Sequence, residues 1–106
     1  MIVRLIKSPI KTKRFRAFLS DGRKFDFGYE GAYTWLDGAD ETVRENYRKR
    51  HYANKTEKTL IDNLVPSASL LSFYIIWGET RDAKKNVELL NKMWRKKEGP
   101  AEGGVM

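Results

Sequence analysis

Arg14 to Gly28 reads RFRAFLSDGRKFDFG, and the way this stretch folds back on itself decides the fold class. Ser20-Asp21-Gly22 separates two runs rich in aromatic and apolar residues, the pattern of a β-hairpin with a short loop. A three-residue loop with Gly22 in the left-handed conformation pairs Leu19 with Arg23, Ala17 with Phe25 and Phe15 with Phe27. This register gathers Phe15, Ala17, Leu19, Phe25 and Phe27 on one face and sets Arg16 opposite Asp26 on the other, with Phe18 outward beside Arg14 and Arg16. A two-residue Asp-Gly loop would pair Phe18 with Phe25 and split the apolar set. Burial therefore selects the first register, because a slip of one residue turns a whole face outward.

Upstream, Ile2 to Lys7 reads as a further strand. Downstream, GYEGAYTWLDG from Gly28 to Gly38 predicts an ordered loop pinned by Tyr33 and Trp35. Asp40 can cap a helix running to about Ala53, with Glu41 near its positive end and Arg48, Lys49 and Arg50 towards its negative end. Val43 and Tyr47 share one face of it, and His51 lies a turn further on. The stretch NKTEKTLIDNLV, Asn54 to Val65, reads as a polar interval before Pro66. Ser67 then caps an apolar helix through Trp77, which Gly78 ends. Thr80 is the expected cap of a last helix in which Ala83, Val87, Leu90 and Trp94 recur at helical spacing. Lys92, Arg95, Lys96 and Lys97 favour its carboxyl end, and Gly99-Pro100 stops it. The expectation is one small α+β domain over residues 1–98, a short antiparallel sheet packed against about three helices, with a flexible tail at 99–106.

Composition narrows the chemistry. The 106 residues suit one domain and leave little material to surround a deep cleft. With 41% hydrophobic and 33% charged residues, the chain should fold as a globular protein. No cysteine is present, which excludes disulfides, thiolate metal sites and thiol catalysis. The apolar start is interrupted by Arg4 and offers no signal peptide, so an intracellular rather than secreted protein is expected. The most apolar run, Ala68 to Trp77, is about half the ~20 residues of a membrane span. Lys and Arg number 21 against 14 Asp and Glu, a formal charge of +7, so an acidic partner is expected. Eight of those cations, and one acid, fall in residues 1–24, which makes the amino-terminal third a basic arm.

Taken in order, KSPIKTKRFRAFLSDGRKFDFG, RENYRKRH, SLLSFYIIWGET and DAKKNVELLNK resemble a family of small basic proteins encoded by nucleocytoplasmic large DNA viruses. The resemblance runs from about Lys7 to Lys92. It is carried by Lys7, Ser8, Pro9, Asp21, Gly22, Phe27, Gly28, Arg44, Tyr47, Arg50, His51 and Trp77. A longer acidic insert around Gly31 to Glu41 departs from the family pattern. The resemblance implies a virion component, a minor capsid protein, and brings no catalytic residues with it.

His51 is the sole histidine and has no obvious orienting carboxylate near it in sequence, so packing or hydrogen bonding is its expected role. Asp37, Asp40 and Glu41 lack the spacing of a calcium loop, and capping accounts for Asp40. Gly22, Gly28 and Gly31 are too dispersed for a phosphate-cradling loop. No catalytic residue, metal ligand, cofactor or small-molecule substrate is expected. A helix apolar on nearly every side must be covered all round, and an uncovered remainder would mark a docking surface. The expected binding elements are a basic clamp (Lys7, Lys11, Lys13, Arg14, Arg16), an apolar anchor (Phe73, Ile76, Trp77) and a basic helix (Arg48, Lys49, Arg50). The expected partners are acidic surfaces of capsid proteins in a virion. Sequence-independent nucleic-acid binding by the same arm ranks second, with one outward aromatic, Phe18, for stacking.

Overall fold

The hairpin forms in the register that burial selects. In the computed structural model, which describes residues 1–98, β1 (Ile2–Lys7), β2 (Lys13–Leu19) and β3 (Lys24–Tyr29) make an antiparallel sheet in the order β1-β2-β3. Phe15 faces Phe27, Arg16 faces Asp26 and Ala17 faces Phe25. Gly22 has φ 93°, the region where a side chain is strained. The Leu19 N–H reaches the Arg23 carbonyl at 2.8 Å, and the Asp21 carboxylate accepts from the Arg23 N–H at 3.0 Å. On the outer face Arg16 grips Asp26 through two hydrogen bonds of 3.0 Å, and the Ser8 hydroxyl donates to the same carboxylate at 2.6 Å. Ser8 is buried by this contact, which ties the Lys-Ser-Pro segment to the hairpin. The expected tail at 99–106 lies outside the described residues.

The loop after β3 is ordered, but Tyr33 does not pin it: that ring is 68% exposed. Asp37 does the work from within a one-turn 3-10 helix, Trp35–Asp37. Its carboxylate accepts from the Thr34 N–H at 2.9 Å and takes both terminal nitrogens of Arg14 at 2.8 and 2.9 Å. A charge-assisted fork of this kind outweighs what a loose tyrosine could contribute. Trp35 is held as expected, half-buried between the guanidinium groups of Arg44 and Arg81 at 5.3 and 3.7 Å.

Four helices follow. Asp40 caps α1 (Glu41–Ala53), its carboxylate accepting from the Val43 N–H at 3.0 Å. The stretch read as a polar interval contains a further helix, α2 (Lys55–Asp62), capped by Asn54 through the Glu57 N–H at 3.1 Å. Its buried side is thin, with Ile61 alone fully enclosed, which is why hydrophobic spacing did not announce it. Leu64 adopts the left-handed conformation after it, φ 54°, and the Val65 N–H closes back on Leu60.

Ser67 caps α3 (Ala68–Leu71) as expected, with its hydroxyl accepting from the Leu70 N–H. The helix then widens into a π turn over Ser72–Ile76. Gly78 ends this segment because nothing larger fits: a Cβ there would lie 2.0 Å from the Tyr74 carbonyl oxygen. The last helix, α4 (Ala83–Glu98), is capped by Asp82 and not by Thr80, since Asp82 accepts from the N–H groups of Lys84 and Lys85. Thr80 instead binds the buried Asn86, whose amide also donates to the Ile75 and Thr80 carbonyls.

The core lies where these layers meet. Ala17, Leu19 and Phe27 come from the sheet, Leu70 to Trp77 from the apolar segment, Ile61 from α2, and Leu90 and Trp94 from α4. Cover from α4, β3 and α1 changes one expectation. Phe73, Ile76 and Trp77 are 2, 2 and 5% exposed, so the residues read as an apolar anchor are spent on the chain's own core. Long-range polar ties close the fold. Trp94 donates its indole N–H to the Leu64 carbonyl at 2.8 Å, and the Asn91 amide bonds both the N–H and the carbonyl of Ile2, at 2.8 and 2.9 Å.

Candidate functional site

The basic arm is not an open clamp. Lys7 pairs with Glu30 at 3.0 Å, Arg14 with Asp37 at 2.8 Å and Arg16 with Asp26 at 3.0 Å. The hairpin and the acidic loop bring these carboxylates to the arm, because the antiparallel pairing returns the chain alongside it. Asp37 is held at a pKa of about 2 by the Arg14 hydrogen bonds, against a usual 3.8, and burial opposes the shift. Asp26 is lowered chiefly by Arg16. Lys11 remains exposed in the turn between β1 and β2. Lys13 makes no ion pair among the described residues and lies 5.2 Å from the Tyr29 ring.

The basic helix also divides. Arg48 turns inward, lies 3.8 Å over the Phe73 ring and donates to the Trp77 carbonyl, so it serves the end of the π turn. Burial lowers its pKa. Lys49 is exposed. Arg50, on the other hand, faces a groove that also contains Lys13.

That groove, of about 580 Å³, separates the end of the sheet from the helices. Lys13, Tyr29 and the loop residues Ala32 to Thr34 line one wall, while Val43, Tyr47, Arg50 and His51 of α1 line the other. Ser72, Ile76 and Trp77 lie between them. Gly28 allows the sheet to come this close: its φ is 78°, and a Cβ would stand 2.6 Å from the Ile76 side chain. The Tyr47 ring stacks on Trp77 with centroids 4.3 Å apart and an interplanar angle of 15°. Burial raises the Tyr47 pKa, and a hydrogen bond with Ser72 opposes that shift. Tyr29 and Tyr33 stand at the rim, 71 and 68% exposed.

His51 has a partner that its immediate sequence neighbours did not reveal. Its Nδ1 hydrogen-bonds Glu57 Oε1 across the break between α1 and α2, and the Ser69 hydroxyl donates to that same oxygen at 3.2 Å. A six-residue separation lies outside the usual search for helical i,i+4 pairs. Serine, histidine and glutamate are thus together, but in the wrong order for a nucleophile and its base, because the serine is bonded to the carboxylate and not to the imidazole. The arrangement ties α1, α2 and α3 to one another. Among the described residues no cluster of three or more histidine, cysteine, aspartate and glutamate side chains could hold a metal, and no helix is long and apolar enough to cross a membrane.

Sequence reasoning placed Lys13 and Arg50 among the binding residues but missed Tyr29, Tyr33 and Tyr47 as their companions. The available signal was the run of tyrosines in a glycine-rich loop that the hairpin's apolar face did not need.

Residues 3–51, from β1 to the last turn of α1, match a family of unknown function, DUF5754. The chain is also 36% identical over 80 residues to the uncharacterized protein L851 of Acanthamoeba polyphaga mimivirus, an alignment spanning 71% of this chain and 80% of the viral protein. No solved structure matches. The chain belongs to the same family as this mimivirus protein, a small giant-virus-associated family whose function is not established.

Proposed function

We propose that the chain is a non-enzymatic structural protein of a large DNA virus particle, a minor capsid component that bridges neighbouring capsid proteins. The observation that carries this reading is the groove rim: Tyr29 and Tyr33 are exposed while Lys13 and Arg50 make no ion pairs among the described residues. Exposed tyrosine beside arginine is the composition of protein-binding hot spots. The mimivirus relative supports a viral setting. The pairing of Lys7, Arg14 and Arg16 within the chain favours protein docking over nucleic acid, since a phosphate backbone needs a track of free cations.

Cross-linking with mass spectrometry on native particles tests the proposal. Cross-links from Lys7, Lys11, Lys13 and the Lys92 to Lys97 region to shell proteins are the expected result. Recovery with the genome or core proteins alone would overturn the capsid assignment.

A further inference from the structure

We infer that the groove between β3 and α1 receives an extended acidic segment of a neighbouring protein. Its carboxylates would pair with Lys13 on the sheet wall and Arg50 on the helix wall, and its apolar side chains would lie against Tyr29 and Tyr33. This inference rests on the docking function proposed above and names the occupant.

Charge complementarity chooses the occupant. Four cations of the arm and hairpin, Lys7, Arg14, Arg16 and Arg23, already have carboxylates within the chain, and Arg4, Lys11 and Lys24 lie outside the groove. Lys13 and Arg50 differ from them, making no ion pair among the described residues while lining the same groove. Each lies near an aromatic ring, at 5.2 Å from Tyr29 and 5.8 Å from Tyr47. Of the groove's lining residues, the single carboxylate is Glu57, and His51 and Ser69 already engage it. The groove therefore sets two unpaired cations against one carboxylate, which is turned towards His51 and Ser69.

Shape separates a peptide from other anions. Small-molecule sites enclose most of their ligand, whereas Tyr29 and Tyr33 stand at an open rim. A single-stranded nucleic acid needs a continuous cationic track with stacking rings along it. Here Lys7, Arg14 and Arg16 of the arm are held in internal pairs, which interrupts such a track. An extended peptide needs only a few charges, with side-chain contacts on alternate residues. The π turn strengthens the assignment, since Ser72 and Ile76 of that irregular segment line the groove and π bulges frequently mark functional sites.

The test uses the full chain and a fluorescein-labelled peptide of alternating aspartate and leucine, read by fluorescence anisotropy. Its asparagine counterpart and an oligothymidylate of about ten nucleotides serve as competing probes. The aspartate peptide should bind, the asparagine peptide should not, and Lys13→Ala and Arg50→Ala should each weaken binding about tenfold. Tyr33→Ala, at a largely exposed position, should weaken it as well. Lys49→Ala, on the same helix but outside the groove, should leave it unchanged. Equal losses from Lys49→Ala and Arg50→Ala would reduce the effect to general charge attraction and overturn the inference. So would preference for oligothymidylate, or no peptide binding at about 1 mM. Shell cross-links that persist in particles carrying Arg50→Ala at wild-type yield would overturn the groove assignment while leaving the capsid role standing. Loss of every shell cross-link in wild-type particles would instead overturn the docking function itself.

Discussion

At the scale of single residues, the ion pairs around the hairpin carry the most specific consequences. Asp37 has a folded pKa of about 2, because Arg14 and Thr34 hydrogen-bond the charged form. Its unfolded value is about 3.8, so between those limits the unfolded chain binds more protons and stability rises with pH. The contribution is complete above about pH 4 and lost as pH falls towards about 2. Asp37→Asn should remove this part of the acid profile, which urea unfolding followed across that window will measure. A mutant curve parallel to wild type throughout would refute it. At Arg16 and Asp26 the sequence was legible to the individual pair, because one register alone buries five apolar residues together. Arg14 was not legible: its partner lies in a loop with no periodic pattern, and only the three-dimensional return of the chain sets Asp37 beside it.

At the scale of elements, caps and chain reversals decide which segments form. Replacing Asp40 by Ala removes the acceptor for the Val43 N–H and should cost about 1 kcal/mol in chemical denaturation. Asn54→Ala should cost a similar ~1 kcal/mol through α2, and it should also loosen the His51–Glu57 tie, visible as a shift of the His51 ring resonances. Gly78→Ala is a far harsher change. Its methyl group meets a backbone oxygen instead of a movable side chain, so a loss of roughly 3 kcal/mol or more is expected. Helix α1 was readable in full because its cap, charges and length agree. Helix α2 was not, since it is short, polar and anchored by little more than Ile61; tertiary packing makes it stable. The apolar segment after Ser67 was readable as helical but not as π, a departure that hydrophobic pattern does not encode. Its need for cover on all sides was correctly inferred, but the cover comes chiefly from α4, β3 and α1 within the chain instead of from a partner.

At the scale of the molecule, the α+β architecture followed from hairpin, caps and spacing, while the candidate groove did not. The groove depends on how Gly28 lets the sheet approach Ile76, and no local pattern expresses that distance. Closure of the fold depends equally on a remote contact. Asn91→Ala would strip both partners from the Ile2 backbone and should cost about 1–3 kcal/mol, with faster hydrogen exchange at the Ile2 amide as its local signature. Retention of wild-type exchange there would show that β1 is held by β2 alone.

The same contact orders events during synthesis. The backbone pairing of the hairpin and the Asp40 cap of α1 are local and can be sampled early, before their packing partners arrive. Strand β1, although translated early, lacks the side chain that completes its edge until Asn91 has emerged, 89 residues later. A nascent chain stalled before that point would leave the Ile2 end of that β edge open to other nascent strands, and the arrival of Asn91 would cap that end.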